Sequence, residues 1–124
     1  MAVNKKISDA ELEIMKVIWE SDSPILFACI MEALEENGIK WQKNTLITLL
    51  SRLMEKGYLK ANKRGRKNEY VPLVTADEFQ SVQTKDFVDR IYKGNVSGLI
   101  TQLVSNDMLT ETEYDELRKI LEVK

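Results

Sequence analysis

Three short motifs punctuate this chain: Ser8-Asp9-Ala10-Glu11, Thr75-Ala76-Asp77-Glu78 and Thr110-Glu111-Thr112-Glu113 all have the form of a capping box. In such a box the hydroxyl accepts from the third backbone NH of a helix, and the glutamate reaches back to the NH of the cap. Each motif fixes where a helix starts. Apolar residues at helical spacing follow every one: Leu12, Met15 and Ile18 or Trp19 after the first, Phe79, Val82, Phe87, Ile91 and Tyr92 after the second, and Tyr114, Leu117, Ile120 and Leu121 after the third. Helix starts written this firmly near the beginning, middle and end commit the chain to a mostly α fold.

Further elements lie between the first two boxes. The first helix runs from about Asp9 to about Ser21. Ser23-Pro24 then reads as a second helix start, since proline is tolerated at the first helical position. Phe27, Ile30, Met31 and Leu34 form its apolar stripe and Asn37-Gly38 its exit. A third helix, Gln42 to Lys56, aligns Leu46, Leu49, Leu50 and Leu53 and stops at Gly57. Two short β-prone segments follow, Tyr58 to Asn62 and Glu69 to Leu73, joined by the basic stretch Lys63 to Asn68, with Pro72 expected to confine its strand to an edge. Between the second and third boxes, Val96, Leu99, Ile100 and Leu103 add a helix ending near Ser105-Asn106. The order helix, helix, helix, hairpin over residues 1–74, then three amphipathic helices over 75–124, predicts a winged helix-turn-helix with a C-terminal helical dimerisation extension.

Composition narrows the chemistry. Histidine is absent and Cys29 is the only cysteine, which removes intrachain disulfides, Cys/His zinc sites and every nucleophilic scheme with an imidazole base. Glu35-Glu36 and Asp115-Glu116 are not catalytic pairs, because sequence neighbours on a helix point about 100° apart. No acid/base constellation or glycine-rich phosphate loop is present, so neither an enzyme nor a metal or cofactor is expected. Met1 to Ser8 lacks the apolar core of a signal peptide and no run suits a bilayer, so the expected location is cytoplasmic, without stable membrane association.

The distribution of charge says more than the net −2 of the chain. Residues 1–74 hold 12 basic and 10 acidic side chains, whereas residues 75–124 hold 6 and 10. Between Lys43 and Lys67, eight basic residues (Lys43, Arg52, Lys56, Lys60, Lys63, Arg64, Arg66, Lys67) face one acid, Glu55. A winged helix would bring its third helix and its hairpin to one side, which concentrates that charge where a phosphate backbone needs it. Opposite the leucine stripe stand Lys43, Asn44, Ile47, Thr48 and Ser51, with Gln42 and Arg52 beside them. Asn and Gln suit adenine, Lys and Arg suit guanine, and threonine or isoleucine methyls suit the thymine methyl, so this face fits base reading in a major groove.

The residues also resemble a known family. Ser8-Asp9-Ala10-Glu11-Leu12-Glu13-Ile14-Met15 with Ile18-Trp19, then Trp41, Thr45 to Leu53 and Lys56-Gly57-Tyr58-Leu59, look like the penicillinase repressors, bacterial winged-helix repressors of β-lactam resistance and copper-transport operons. Arg66, Tyr70, Pro72, Phe87, Tyr92, Gly94 and Leu99 extend the resemblance over almost the whole chain. It implies a homodimer on a palindromic double-stranded operator. By position, Gln42, Lys43, Asn44, Thr45, Thr48 and Arg52 match the recognition-helix contacts and Arg64, Arg66 and Lys67 the wing, while Ile47 stands where some β-lactam repressors carry arginine. In the antibiotic branch an inducing protease leads to cutting of the C-terminal domain at an Asn-Phe pair. The matching stretch here reads Thr101-Gln102-Leu103-Val104, and the cysteine cluster of the copper branch is absent.

Dimerisation has independent support, because a 50-residue segment with three apolar stripes struggles to hold a core of its own. A second copy would cover Val96, Leu99, Ile100, Leu103, Leu117, Ile120 and Leu121; folding back on the same chain is the alternative. Cys29 is expected to be buried and inert, and Trp19 and Trp41 to pack rather than stack on bases. The competing functional reading is a winged helix used as a protein-interaction module, its basic hairpin binding an acidic partner.

Overall fold

The computed structural model describes residues 5–123. Residues 1–4 of the stretch read above for a signal peptide, and residue 124, lie outside the described residues. The element order is α1 (Asp9–Glu20), β1 (Ile25–Leu26), α2 (Phe27–Glu36), α3 (Lys43–Glu55), β2 (Leu59–Arg64), β3 (Lys67–Pro72), α4 (Ala76–Tyr92), α5 (Val96–Ser105) and α6 (Glu111–Val123). This is a winged helix followed by three helices.

All three capping boxes form. Glu11 N donates to Ser8 Oγ at 3.1 Å and Ser8 N to Glu11 Oε1 at 2.7 Å. Thr75 with Glu78 and Thr110 with Glu113 repeat the reciprocal pair at 2.9 to 3.1 Å. Each box satisfies two backbone donors that a helix start would otherwise leave open.

The chain divides into two compact units, Met1–Val82 and Gln83–Lys124, with the division inside α4. In the first unit Ile14, Met15 and Ile18 of α1, Ile30 and Leu34 of α2 and Leu46, Leu50 and Leu53 of α3 are fully buried with Tyr58 and Leu59. Burial of each such side chain contributes about 1.5–3 kcal/mol, so this cluster holds the three helices together. The first turns of α4 belong to it because Phe79 is buried there, with ring centroids 5.4 Å from Trp19 and 6.1 Å from Tyr58. Trp19 also donates from Nε1 to the Val74 carbonyl at 2.8 Å, and Trp41 packs against the core. Both tryptophans are packing residues.

The sheet departs from the sequence reading. Its order is β1-β3-β2, so the strand that carries Pro72 is central, not an edge. The proline is tolerated because β1 spans only two residues, pairing Ile25 with Tyr70 and Leu26 with Glu69, while Pro72 pairs with Leu59 of β2 alone. β1 itself replaces the expected start of the second helix: Pro24 precedes it and α2 begins at Phe27. A two-residue strand carries too little alternation to be read from sequence. The hairpin is also longer than expected, since Lys63 and Arg64 pair with Asn68 and Lys67 and leave Gly65-Arg66 as the turn. Gly65 has φ +67°, as the first turn position of a type II′ hairpin requires.

Cys29 is exposed, which corrects the expectation of burial. At about 100° per residue it lies about 100° round α2 from Ile30 and about 140° from Leu34, and so falls outside their buried stripe.

In the second unit Val88 alone is buried among the described residues. Asn95 caps α5 by accepting from Gly98 N at 3.2 Å. Among the described residues no helix is long and apolar enough to cross a membrane.

Candidate nucleic-acid interface

α3 is held at its C-terminal end and left open at its N-terminal end. At its C-terminus Gly57, with φ +83°, donates to the Met54 carbonyl at 3.0 Å, and Tyr58 donates to the Leu53 carbonyl at 3.0 Å. This Schellman closure turns the chain directly into β2, so the hairpin starts at a fixed place relative to α3. Lys56, the C-cap, donates to Glu11 Oε1 at 2.7 Å, tying the end of α3 to the start of α1. At the other end Gln42 caps the helix with no side-chain hydrogen bond. The first NH groups of α3 therefore remain open, and a helix N-terminus of that kind attracts anions.

The leucine stripe of α3 faces the core, with Leu46, Leu49, Leu50 and Leu53 all buried. The remainder of its outer surface is exposed: Gln42, Lys43, Asn44, Thr45, Ile47, Thr48, Ser51 and Arg52. Among the described residues the side chains of Gln42, Lys43, Asn44, Thr45, Thr48 and Arg52 have no hydrogen-bond or ion-pair partner. A row of polar groups left unused by the fold is available to a ligand.

At the hairpin tip Arg64 and Lys67 pair across the ladder and Arg66 occupies the turn, all three exposed. Arg64 stands 3.9 Å from Glu69, with 74% of its side chain exposed, a loose contact that leaves its charge usable. Lys60 and Lys63 are exposed on β2. Of the eight basic residues counted in the sequence, Lys56 is the one the structure removes, because Glu11 neutralises it.

Glu11 is the residue that sequence reasoning assigned too small a part. Its side chain is 2% exposed; one oxygen serves both Ser8 N and Lys56, and the other has no partner among the described residues. Burial pushes its carboxyl up, but the hydrogen bonds from Lys56 and Ser8 outweigh this and hold it below the ordinary carboxylate range. Tyr58, beside it, is pushed up by burial and by the Glu11 charge, and donates its hydroxyl to the Lys5 carbonyl at 2.6 Å. The capping motif identified Glu11 as a local device; its partner lies 45 residues away, beyond the reach of any motif.

The residues expected at a subunit interface divide by exposure. Val96, Ile100, Ile120 and Leu121 are exposed, at 39 to 63%, and Leu99, Leu103 and Leu117 are half-buried. Phe87, Ile91, Val104 and Met108 are exposed as well.

A fully packed three-helix core with an unpartnered polar helix face and a basic hairpin defines a winged-helix DNA-binding protein. The family model described as Penicillinase repressor matches residues 7–123. The penicillinase repressor of Bacillus licheniformis is 37% identical over 117 residues, covering 94% of this chain and 90% of that protein. The methicillin resistance regulatory protein MecI of Staphylococcus aureus is 31% identical over 121 residues, covering 96% and 95%. Among solved structures, the DNA binding domain of the repressor BlaI matches at TM-score 0.52 and 40% identity, over 59% of this chain and 87% of that one. The Bacillus licheniformis BlaI monomeric form in complex with the blaP half-operator matches at TM-score 0.50 and 39% identity, over 60% and 88%. The chain belongs to the penicillinase repressor family.

Proposed function

We propose that this protein is a cytoplasmic transcriptional repressor that binds a palindromic double-stranded operator as a homodimer and blocks polymerase sterically. The observation that carries this reading is the outer face of α3, exposed from Gln42 to Arg52 and free of partners within the described residues. α3 lies in the major groove, with Gln42, Lys43, Asn44, Thr45 and Thr48 toward base edges and Arg52 toward phosphate. The hairpin grips the flanking backbone through Arg64, Arg66 and Lys67. The relative solved with a half-operator supports this reading, since a monomer on half a site is what one arm of a palindrome requires.

The dimer contact is formed by Val96, Leu99, Ile100, Leu103, Leu117, Ile120 and Leu121, which one unit leaves largely uncovered. Two subunits place their α3 helices one helical turn of DNA, or a multiple of it, apart. The regulated operon is of the antibiotic-resistance or metal-transport type, and an inducing protease is a further partner. At the position of the family's Asn-Phe pair stand Gln102 and Leu103, inside α5, so a protease acting there cuts a different bond.

A gel shift on promoter duplexes from neighbouring genes tests the reading. A repressor gives a large ratio of specific to non-specific affinity and a steep loss with salt; uniformly weak binding supports a protein-interaction module instead.

A further inference from the structure

Ile47 is 50% exposed, and among the described residues of the Met1–Val82 unit only Leu73 of the large apolar side chains is as open. A single exposed isoleucine on a protein surface is ordinary. Its setting here is not, because it stands in the middle of the face that the fold leaves free. Lys43 precedes it by one helical turn, Ser51 follows by one turn, and Asn44 and Thr48 lie alongside, all exposed. The stripe that buries α3 is complete without it, since Leu46, Leu49, Leu50 and Leu53 already fill that role. Ile47 thus contributes nothing to the core and interrupts an otherwise polar surface with four carbons and no hydrogen-bonding atom.

In the major groove the one apolar group of the bases large enough to pack against is the 5-methyl group of thymine; the nitrogens and oxygens there donate or accept. We propose that Ile47 is a specificity-determining residue that packs on the 5-methyl group of one thymine in each operator half-site. This rests on α3 lying in the major groove, and it adds a discrimination that the polar side chains cannot make. Asn44 and Thr48 distinguish bases by hydrogen bonding, whereas Ile47 distinguishes thymine from a base of identical hydrogen-bonding pattern that lacks the methyl. The lysine and arginines around it draw the duplex in, and the isoleucine selects where it settles.

Uracil is that base, and it gives a direct test. Duplexes are selected from a randomised pool with the full-length protein, and the tightest is rebuilt with each thymine replaced in turn by deoxyuridine. Affinities are measured for the wild type, Ile47→Ala and Ile47→Val. At one thymine of each half-site the replacement weakens the wild type about fourfold, and about fifteenfold when both half-sites are changed, as loss of one buried methyl from each contact requires. Ile47→Val keeps most of that penalty; Ile47→Ala binds the thymine and uracil duplexes equally. The inference is overturned if a specific sequence is selected but no thymine shows the penalty, or if the penalty persists unchanged in Ile47→Ala. If no sequence is enriched, base reading by α3 fails and takes this inference with it.

Discussion

Glu11 is a buried carboxylate that answers two demands at once, closing the α1 cap and holding Lys56. Burial disfavours its charge, and the two sets of hydrogen bonds favour it by more, so its folded value lies below the ordinary 4.5. A carboxyl lowered on folding adds stability that is complete above its unfolded value and disappears as pH falls through the folded one. The wild type should therefore lose stability more steeply than Glu11→Gln below about pH 4.5. At neutral pH the variant should be less stable by about 1–3 kcal/mol, since a charged hydrogen bond is lost and Lys56 is left partly buried. Urea midpoints of both proteins from pH 7 to 3 provide the check; parallel profiles would show that Glu11 is a cap and nothing more.

At the scale of elements, the proposed function gives α3 and the hairpin different work. Lys43, Asn44 and Thr48 sit on a helix whose orientation is fixed by a packed leucine stripe and a Schellman closure, so they suit recognition. The hairpin tip ends in an exposed turn, which suits a backbone grip. Asn44→Ala and Thr48→Ala should relax sequence preference, each costing about 1–3 kcal/mol on the preferred duplex and little on others. Arg52→Ala and Lys67→Ala should weaken all duplexes alike and lower the salt slope by about one unit each. Titrations of a selected and a scrambled duplex against salt separate the two classes, and an exchange of these behaviours would reverse the assignment.

Helices were legible because capping boxes and leucine periodicity are local signals. β1 was not, because a two-residue strand exists only through its pairing with Tyr70 and Glu69. Pro72 misled for the same reason: whether a strand is central depends on a partner far along the chain. The basic face of α3, with Ile47 in it, and the hairpin tip were visible as residue types, but the diversion of Lys56 to Glu11 and the exposure of Cys29 required the folded structure.

For the whole molecule, the proposed dimer rests on the apolar residues of the Gln83–Lys124 unit. A monomer with Ile120 57% and Leu121 63% exposed leaves apolar area in water, which the proposed second copy would cover. Sedimentation of the wild type at micromolar concentration should show a dimer, and Ile100→Asp with Leu121→Asp should shift it to monomer. That variant should keep the unfolding transition of the Met1–Val82 core while losing most operator affinity, because two half-sites no longer bind as one. A dimer that survives the double substitution would place the interface elsewhere.

The placement of α3 against DNA can be read most directly by dimethyl sulfate protection on the selected operator, since guanine N7 lies in the major groove. Two protected guanine patches, separated by about 10 base pairs or a multiple and lost with Lys43→Ala and Asn44→Ala, are predicted. Unprotected guanine N7 under saturating protein, with binding intact, would contradict the insertion of α3 and with it the mode of recognition.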